Sequence, residues 1–146
     1  MLSPMTGYAA TALGYMALRD AGPLQVRELA RRIEIPAPYL SKIVHQLGRI
    51  GFVATRRGTG GGVRLAVDPA KTTLYQLCEV LGDPILEPHC LLGLGLCNDD
   101  VACPAHSFNR TLRAKQLKFL HETTLLAVGR FDKRRRKASR NGSGKA

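Results

Sequence analysis

The chain has 146 residues and a mass of 15.9 kDa, enough for one domain or a small domain with an appendage. Lys and Arg number 22 against 11 Asp and Glu, giving a net charge of +11 and a pI near 10.1, which points to a polyanionic partner. Apolar residues make up 45% and Trp is absent, so the expected core is built from Leu, Val, Ile and Ala. No apolar run reaches membrane-spanning length and no basic leader precedes the first one, so the expectation is a cytoplasmic protein with no membrane partner.

The charge is unevenly spread. Residues 1–66 carry nine basic and three acidic side chains, residues 67–105 one and six, and residues 130–146 eight and one. The last stretch includes KRRRKASRNGSGKA, which has no apolar periodicity to fold around. It reads as a basic, disordered tail, with a phosphate-binding arm as the sharper alternative.

In chain order, residues 8–18 are nearly apolar all round and predict a buried helix, stopped by Ala21-Gly22-Pro23. Residues 24–33 place Val26, Leu29, Ala30 and Ile33 at helical spacing with charges opposite. After a break at 34–37, a helix over 38–50 aligns Leu40, Ile43, Val44, Leu47 and Ile50. Ser41, Lys42, His45, Gln46 and Arg49 are left outward. Two short helices across a tight turn, the second with polar and basic residues outward, fit a helix-turn-helix. Residues 52–55 and 63–66 then alternate as two short strands around the tip Arg56-Arg57-Gly58-Thr59-Gly60-Gly61-Gly62, with Arg64 on the second strand. The tip lacks the Lys and the βαβ context of a nucleotide cradle. A basic wing beside a recognition helix explains more of these residues than a plain hairpin does, and DNA binding is the stronger reading.

A short helix over 72–81 puts Cys78 on its apolar side as a buried small hydrophobe. The other three cysteines fall close together in a loop, Cys90-x6-Cys97-x5-Cys103, with His106 two residues beyond Pro104. Thiolates are soft ligands that select zinc, copper or iron–sulfur centres. The short paired knuckles of structural zinc are missing, which favours an iron–sulfur centre, with zinc or thiol redox chemistry as the alternative. His106 is the nearest fourth donor and His89 a further candidate. Leu91, Leu92, Leu94 and Leu96 are placed to shield such a centre from water. From residue 105 to 128, Ala105, Leu112, Phe119 and Leu126 recur every seven residues, which predicts a long helix that pairs with its twin. A two-fold homodimer would present its recognition helices to a pseudo-palindromic operator. No nucleophile–base set, carboxylate pair or cofactor loop points to an enzyme.

These pieces are similar to the bacterial winged-helix iron–sulfur transcription regulators of the IscR/NsrR family. The likeness runs from about residue 1 to 128 and rests on GYAATAL, PAPYLSKIVHQL, RRGTGGGVRLA and the cysteine triad. It implies a mainly α fold with a small β-wing: a winged helix-turn-helix (1–82), a cluster loop (83–104) and a long dimerisation helix (105–129), with the tail (130–146) outside it. It implies double-stranded DNA as partner, with Tyr39, Ser41, Lys42, His45, Gln46, Arg49, Arg56, Arg57, Gly60 and Arg64 as candidate contacts. It also implies a cluster on Cys90, Cys97 and Cys103. His106 stands where one branch completes a 2Fe-2S cluster, whereas the acidic residue of the 4Fe-4S branch is replaced by Gly7, so 2Fe-2S is favoured. A redox or nitric oxide response is the implied regulation.

Overall fold

The computed structural model describes residues 1–19 and 22–142, with side chains through 140. The chain runs α1 (Pro4–Ala17), α2 (Val26–Ile33), α3 (Ala37–Arg49), β1 (Val53–Arg56), β2 (Gly62–Leu65), α4 (Leu74–Leu81), a 3-10 turn (Pro84–Leu86), α5 (His106–Glu122) and α6 (Leu125–Gly142). The fold is mainly helical with a two-stranded wing, as expected.

The first helix begins earlier than its apolar run suggests. Ser3 accepts from the Thr6 amide and Pro4 occupies the first turn, where its missing N–H is no loss. The helix ends at Ala17, ahead of the expected stop, of which Ala21 lies outside the described residues. Small side chains let its neighbours approach closely: Ala9, Ala10 and Ala12 are buried beside Leu13 and Met16. α2 and α3 form the helix-turn-helix, joined through Glu34 in the left-handed conformation (φ 60°, ψ 43°). Leu40, Ile43, Val44 and Leu47 point into the core, each burial contributing roughly 1.5–3 kcal/mol. Ile50 is only partly covered.

The strands pair antiparallel in the register Val53↔Leu65, Ala54↔Arg64, Thr55↔Val63 and Arg56↔Gly62. Leu24, expected at the start of α2, instead bridges Val63 and anchors the wing to the helical core. α4 starts with a capping box between Thr73 and Gln76, and Cys78 is fully buried.

Two expectations are corrected. The single helix predicted over 105–128 is two, broken at Thr123 and Thr124. Thr124 bridges Thr73, the Leu74 amide donates to the Thr123 carbonyl at 2.8 Å, and the Leu125 amide donates to the Thr72 carbonyl at 2.9 Å. Pairing with the entry to α4 outcompetes one helical turn. Secondly, the tail is not disordered from residue 130: α6 continues to Gly142 and packs along α1. Asp132 is buried on that face at 6% exposure, held by Arg135 and Arg136. Its i,i+3 and i,i+4 pairs and the contact with α1 supply the order that an apolar stripe would otherwise give. Residues 143–146 of the expected tail lie outside the described residues.

Candidate DNA-binding face and cysteine loop

Between the wing and the helix-turn-helix lies an open groove of about 780 Å³, bordered by Gln25, Arg27, Ser41, Arg56 and Arg57 among others. Of the residues singled out in the sequence, Ser41, Arg56 and Arg57 border it. Lys42, His45 and Arg49 are exposed on the outer side of α3, Gln46 is half-buried beside them, and Arg64 is exposed on β2. Gly60 is exposed at the wing tip with φ 75°. Tyr39 is half-buried, its ring edge-on to Tyr8 at 5.5 Å, which ties the start of α3 to α1.

Gln25 was not foreseen: its side-chain amide donates to the Gly61 carbonyl at 2.9 Å and fastens the wing to the N-terminus of α2. Gly61 itself admits no side chain, because a Cβ there would strike the Arg56 and Gly58 carbonyls. The turn is therefore held closed with its arginines outward.

The cysteine segment is an irregular loop pinned at its neck. His89 bridges Leu96, the Cys90 amide donates to the Gly95 carbonyl at 2.8 Å, and the Cys97 amide donates to the Pro88 carbonyl at 2.6 Å. Cys90, Cys97, Cys103 and His106 all border one cavity of about 210 Å³. His106 Nδ1 lies 3.2 Å from Cys97 Sγ and its Nε2 lies 2.9 Å from Asp99 Oδ1. With Nε2–H donating to Asp99, Nδ1 faces the thiol as an acceptor. The Asp99 carboxyl is held below the usual carboxylate range by His106 and then Arg110. The Cys90 thiol is lowered by the backbone amides of Leu94 and Leu92, with the Cys103 side chain adding to them. Among the described residues, no three His, Cys, Asp or Glu donors gather tightly enough to hold a single ion; the donors surround a space.

The expected shield of leucines is met in part: Leu94 and Leu96 border the cysteine cavity, whereas Leu91 and Leu92 do not. All four are exposed in a segment that turns at Gly93 and Gly95, both with positive φ. His89 is exposed beside Glu87 at 3.2 Å and does not border the cysteine cavity. Two residues that sequence reasoning passed over position the loop. Arg113 of α5 donates to the carbonyls of Ile85, Leu86 and Glu87, and Asn109 donates to the His89 carbonyl at 2.9 Å. Neither carries a local signal, since each partner lies more than nineteen residues away.

On α5, Leu120 faces inward at 2% exposure, whereas Phe108, Leu112 and Phe119 stand outward on a stripe that the single chain leaves uncovered. Among the described residues, no helix is long and apolar enough to cross a membrane.

A helix-turn-helix with a basic wing, followed by a cysteine loop and a helix with an apolar outer face, defines a winged-helix regulator. Residues 2–130 match the Rrf2 family, described as iron-dependent transcriptional regulators, and the chain belongs to that family. It is 29% identical over 116 residues to the transcriptional regulator NsrR of Bacillus subtilis strain 168, covering 77% of this chain and 80% of that protein. It is also 29% identical over 119 residues to IscR of Escherichia coli O1:K1 / APEC, covering 81% and 73%. Among solved structures it is similar to CymR, the global cysteine regulator of B. subtilis, with a TM-score of 0.71 at 23% identity over 90% of this chain and 97% of that one. That likeness speaks for the fold alone. Members of the family are DNA-binding transcriptional regulators and not enzymes, and they commonly act as dimers.

Proposed function

We propose that this regulator binds its operator under the control of an iron–sulfur cluster held by Cys90, Cys97 and Cys103, with His106 as the fourth donor and 2Fe-2S as the favoured type. The observation that carries the reading is the single cavity bordered by all four side chains. Three thiols and an imidazole are the right chemistry for such a centre. A lone zinc ion would need its donors within about 2.3 Å of one point, whereas a cluster spreads its irons and suits donors arranged around a space. Asp99 supports the role of His106, because a ligating imidazole usually donates its other N–H to a carboxylate. Bound there, the cluster supplies a centre responsive to redox state and nitric oxide.

The chain's own residues carry that response to DNA. The loop leaves α4, which packs under the winged module, and enters α5, whose outer stripe of Phe108, Leu112 and Phe119 suits a second copy of the chain. Arg113 and Asn109 tie α5 to the loop's entry. A change in how tightly the loop folds therefore alters the spacing of two recognition helices across a homodimer on a pseudo-palindromic operator. Lys42, His45, Gln46 and Arg49 with Tyr39 and Ser41 supply the major-groove face, and Arg56, Arg57, Gly60 and Arg64 the wing.

The test is anaerobic purification followed by a visible spectrum with iron and sulfide counts. Charge-transfer bands with equal iron and sulfide, two of each per chain, are expected, and Cys97→Ala should lose both. A colourless, iron-free protein after reconstitution would overturn the cluster. It would also favour the second reading, a zinc or thiol switch of the same architecture, for which the Cys97–His106–Asp99 chain of hydrogen bonds and the lowered Cys90 thiol speak.

A further inference from the structure

The groove between α6 and the C-terminal ends of α1 and α2 belongs to neither the DNA face nor the cysteine loop. It encloses about 430 Å³, within the range of small-molecule sites, and shares no bordering residue with the wing groove or the cysteine cavity. Six of its bordering side chains are cationic: Arg19, Arg32, Lys133, Arg136, Lys137 and Arg140.

Among the described residues, the acids nearby do not balance them. Asp132 is taken by Arg135 and Arg136, and Glu28 by Arg31 and Arg32. Arg136 also donates to the Arg32 and Ile33 carbonyls and reaches Glu34 at 3.7 Å. Among the described residues, Arg19, Lys133, Lys137 and Arg140 pair with no carboxylate. Arg19 is the more telling of these, because its Nε is buried and has no hydrogen-bond acceptor among the described residues. A buried donor left without an acceptor is destabilising, more so when it is charged. Tyr15 and Leu18 add an apolar wall.

We propose that this cavity binds a small, multiply charged anion of the oligophosphate class. Four cations that pair with no carboxylate among the described residues match an anion carrying several charges, and a guanidinium with an unused N–H gains from swinging onto a phosphate oxygen. A small anion can enter a concave site; a phosphate fixed in a duplex backbone stays at the protein surface. Once bound, the anion bridges α6 to the ends of α1 and α2, so it bears on the position of the helix-turn-helix.

The test is titration of inorganic pyrophosphate into the full chain by calorimetry, at fixed ionic strength and without DNA, so that it stands apart from the cluster and the operator. Saturable binding of one pyrophosphate per chain is expected. The double variant Lys133→Gln/Lys137→Gln should weaken it by about tenfold or more. Arg130→Gln/Arg134→Gln, which removes the same charge from the same helix outside the cavity, should leave it within about twofold. All four side chains are exposed, and circular dichroism checks that the helices are kept. Absence of saturable binding overturns the site, and so does an equal loss in the two variants, which would mean a diffuse field. Displacement of pyrophosphate by a non-specific duplex, with the first variant losing duplex affinity in parallel, would overturn it in favour of backbone phosphate contact.

Discussion

Gly14 of α1 and Gly129 of α6 meet backbone to backbone: a Cβ on Gly14 would sit 2.8 Å from the Gly129 amide nitrogen, and one on Gly129 would overlap the Gly14 carbonyl. The close crossing is what lets α6 lie along the winged module. Replacing Gly129 with Ala gains up to about 1 kcal/mol of helix propensity, but the obstacle is main chain and no rotamer relieves it. Overpacking of this kind costs about 1–3 kcal/mol, so Gly129→Ala should destabilise the fold, with a lower urea midpoint as the readout. An unchanged or raised midpoint would mean that the two helices separate easily.

Arg136 closes the other end of the same contact. It donates to the Arg32 carbonyl at 2.8 Å and to the Ile33 carbonyl at 3.2 Å, where α2 has no further helical partners, and pairs with buried Asp132 at 2.6 Å. Arg136→Ala leaves those carbonyls and part of the Asp132 charge uncompensated, a loss of about 1–3 kcal/mol. Thermal unfolding should show a lower midpoint. Amide exchange should quicken in α6 and at the end of α2 before it quickens in α3.

Asp83, 4% exposed, joins the N-terminus to the start of the loop. It accepts from the Ser3 amide at 3.0 Å, the Ser3 hydroxyl at 2.8 Å and the Ile85 amide at 2.9 Å. Burial pushes its carboxyl up, but the hydrogen bonds from Thr6, Ile85 and Ser3 together outweigh burial and hold it below its ordinary value. A folded-state pKa below the unfolded one contributes stability that is present above about pH 4 and lost as the pH falls through the folded-state value. Wild-type stability should therefore drop on acidification through that window. Asp83→Asn should be less stable at neutral pH by about 1–3 kcal/mol and should show a flatter acid limb. Parallel acid limbs would remove Asp83 from the account.

Cys78 differs from the loop cysteines in kind. It is fully buried, and burial, with the nearby Asp83 charge adding to it, pushes its thiol up to about 11. The thiolate is the reactive form. Iodoacetamide at mildly alkaline pH should label the cysteines of the metal-free native chain at Cys90, Cys97 and Cys103 and spare Cys78, with all four labelled in denaturant. Peptide mass spectrometry reads the outcome directly.

Arg57 is exposed at the wing and borders the groove beside α3. Contacts of this kind release counterions, so each contributes close to one unit of the slope of log affinity against log salt. Arg57→Ala should weaken operator and random DNA alike and reduce that slope by about one. A substitution that altered operator preference but not the salt slope would assign Arg57 to base reading instead.

Period and punctuation in the chain made much of this legible. The stripe of Leu40, Ile43, Val44 and Leu47, the alternation around a Gly-rich tip and the triad of loop cysteines each express local rules that need no distant partner. The break at Thr123 and Thr124 had no such mark, because heptad spacing continues through it and only pairing with Thr73 reveals it. Asp99, Asn109 and Arg113 were equally silent, since a polar residue acquires its role from the atom it meets.

Local geometry, then, is written in the order of residues: which stretches are helix or strand, which faces are apolar, and which donors can wrap one loop. The close approach of Gly14 to Gly129, the docking of Arg136 on the Arg32 and Ile33 carbonyls, and the ties of Asn109 and Arg113 to the loop's entry depend on segments distant along the chain. Such contacts form only once the core has brought the elements together, because it is burial that makes a single hydrogen bond or a backbone contact worth more than the water it replaces.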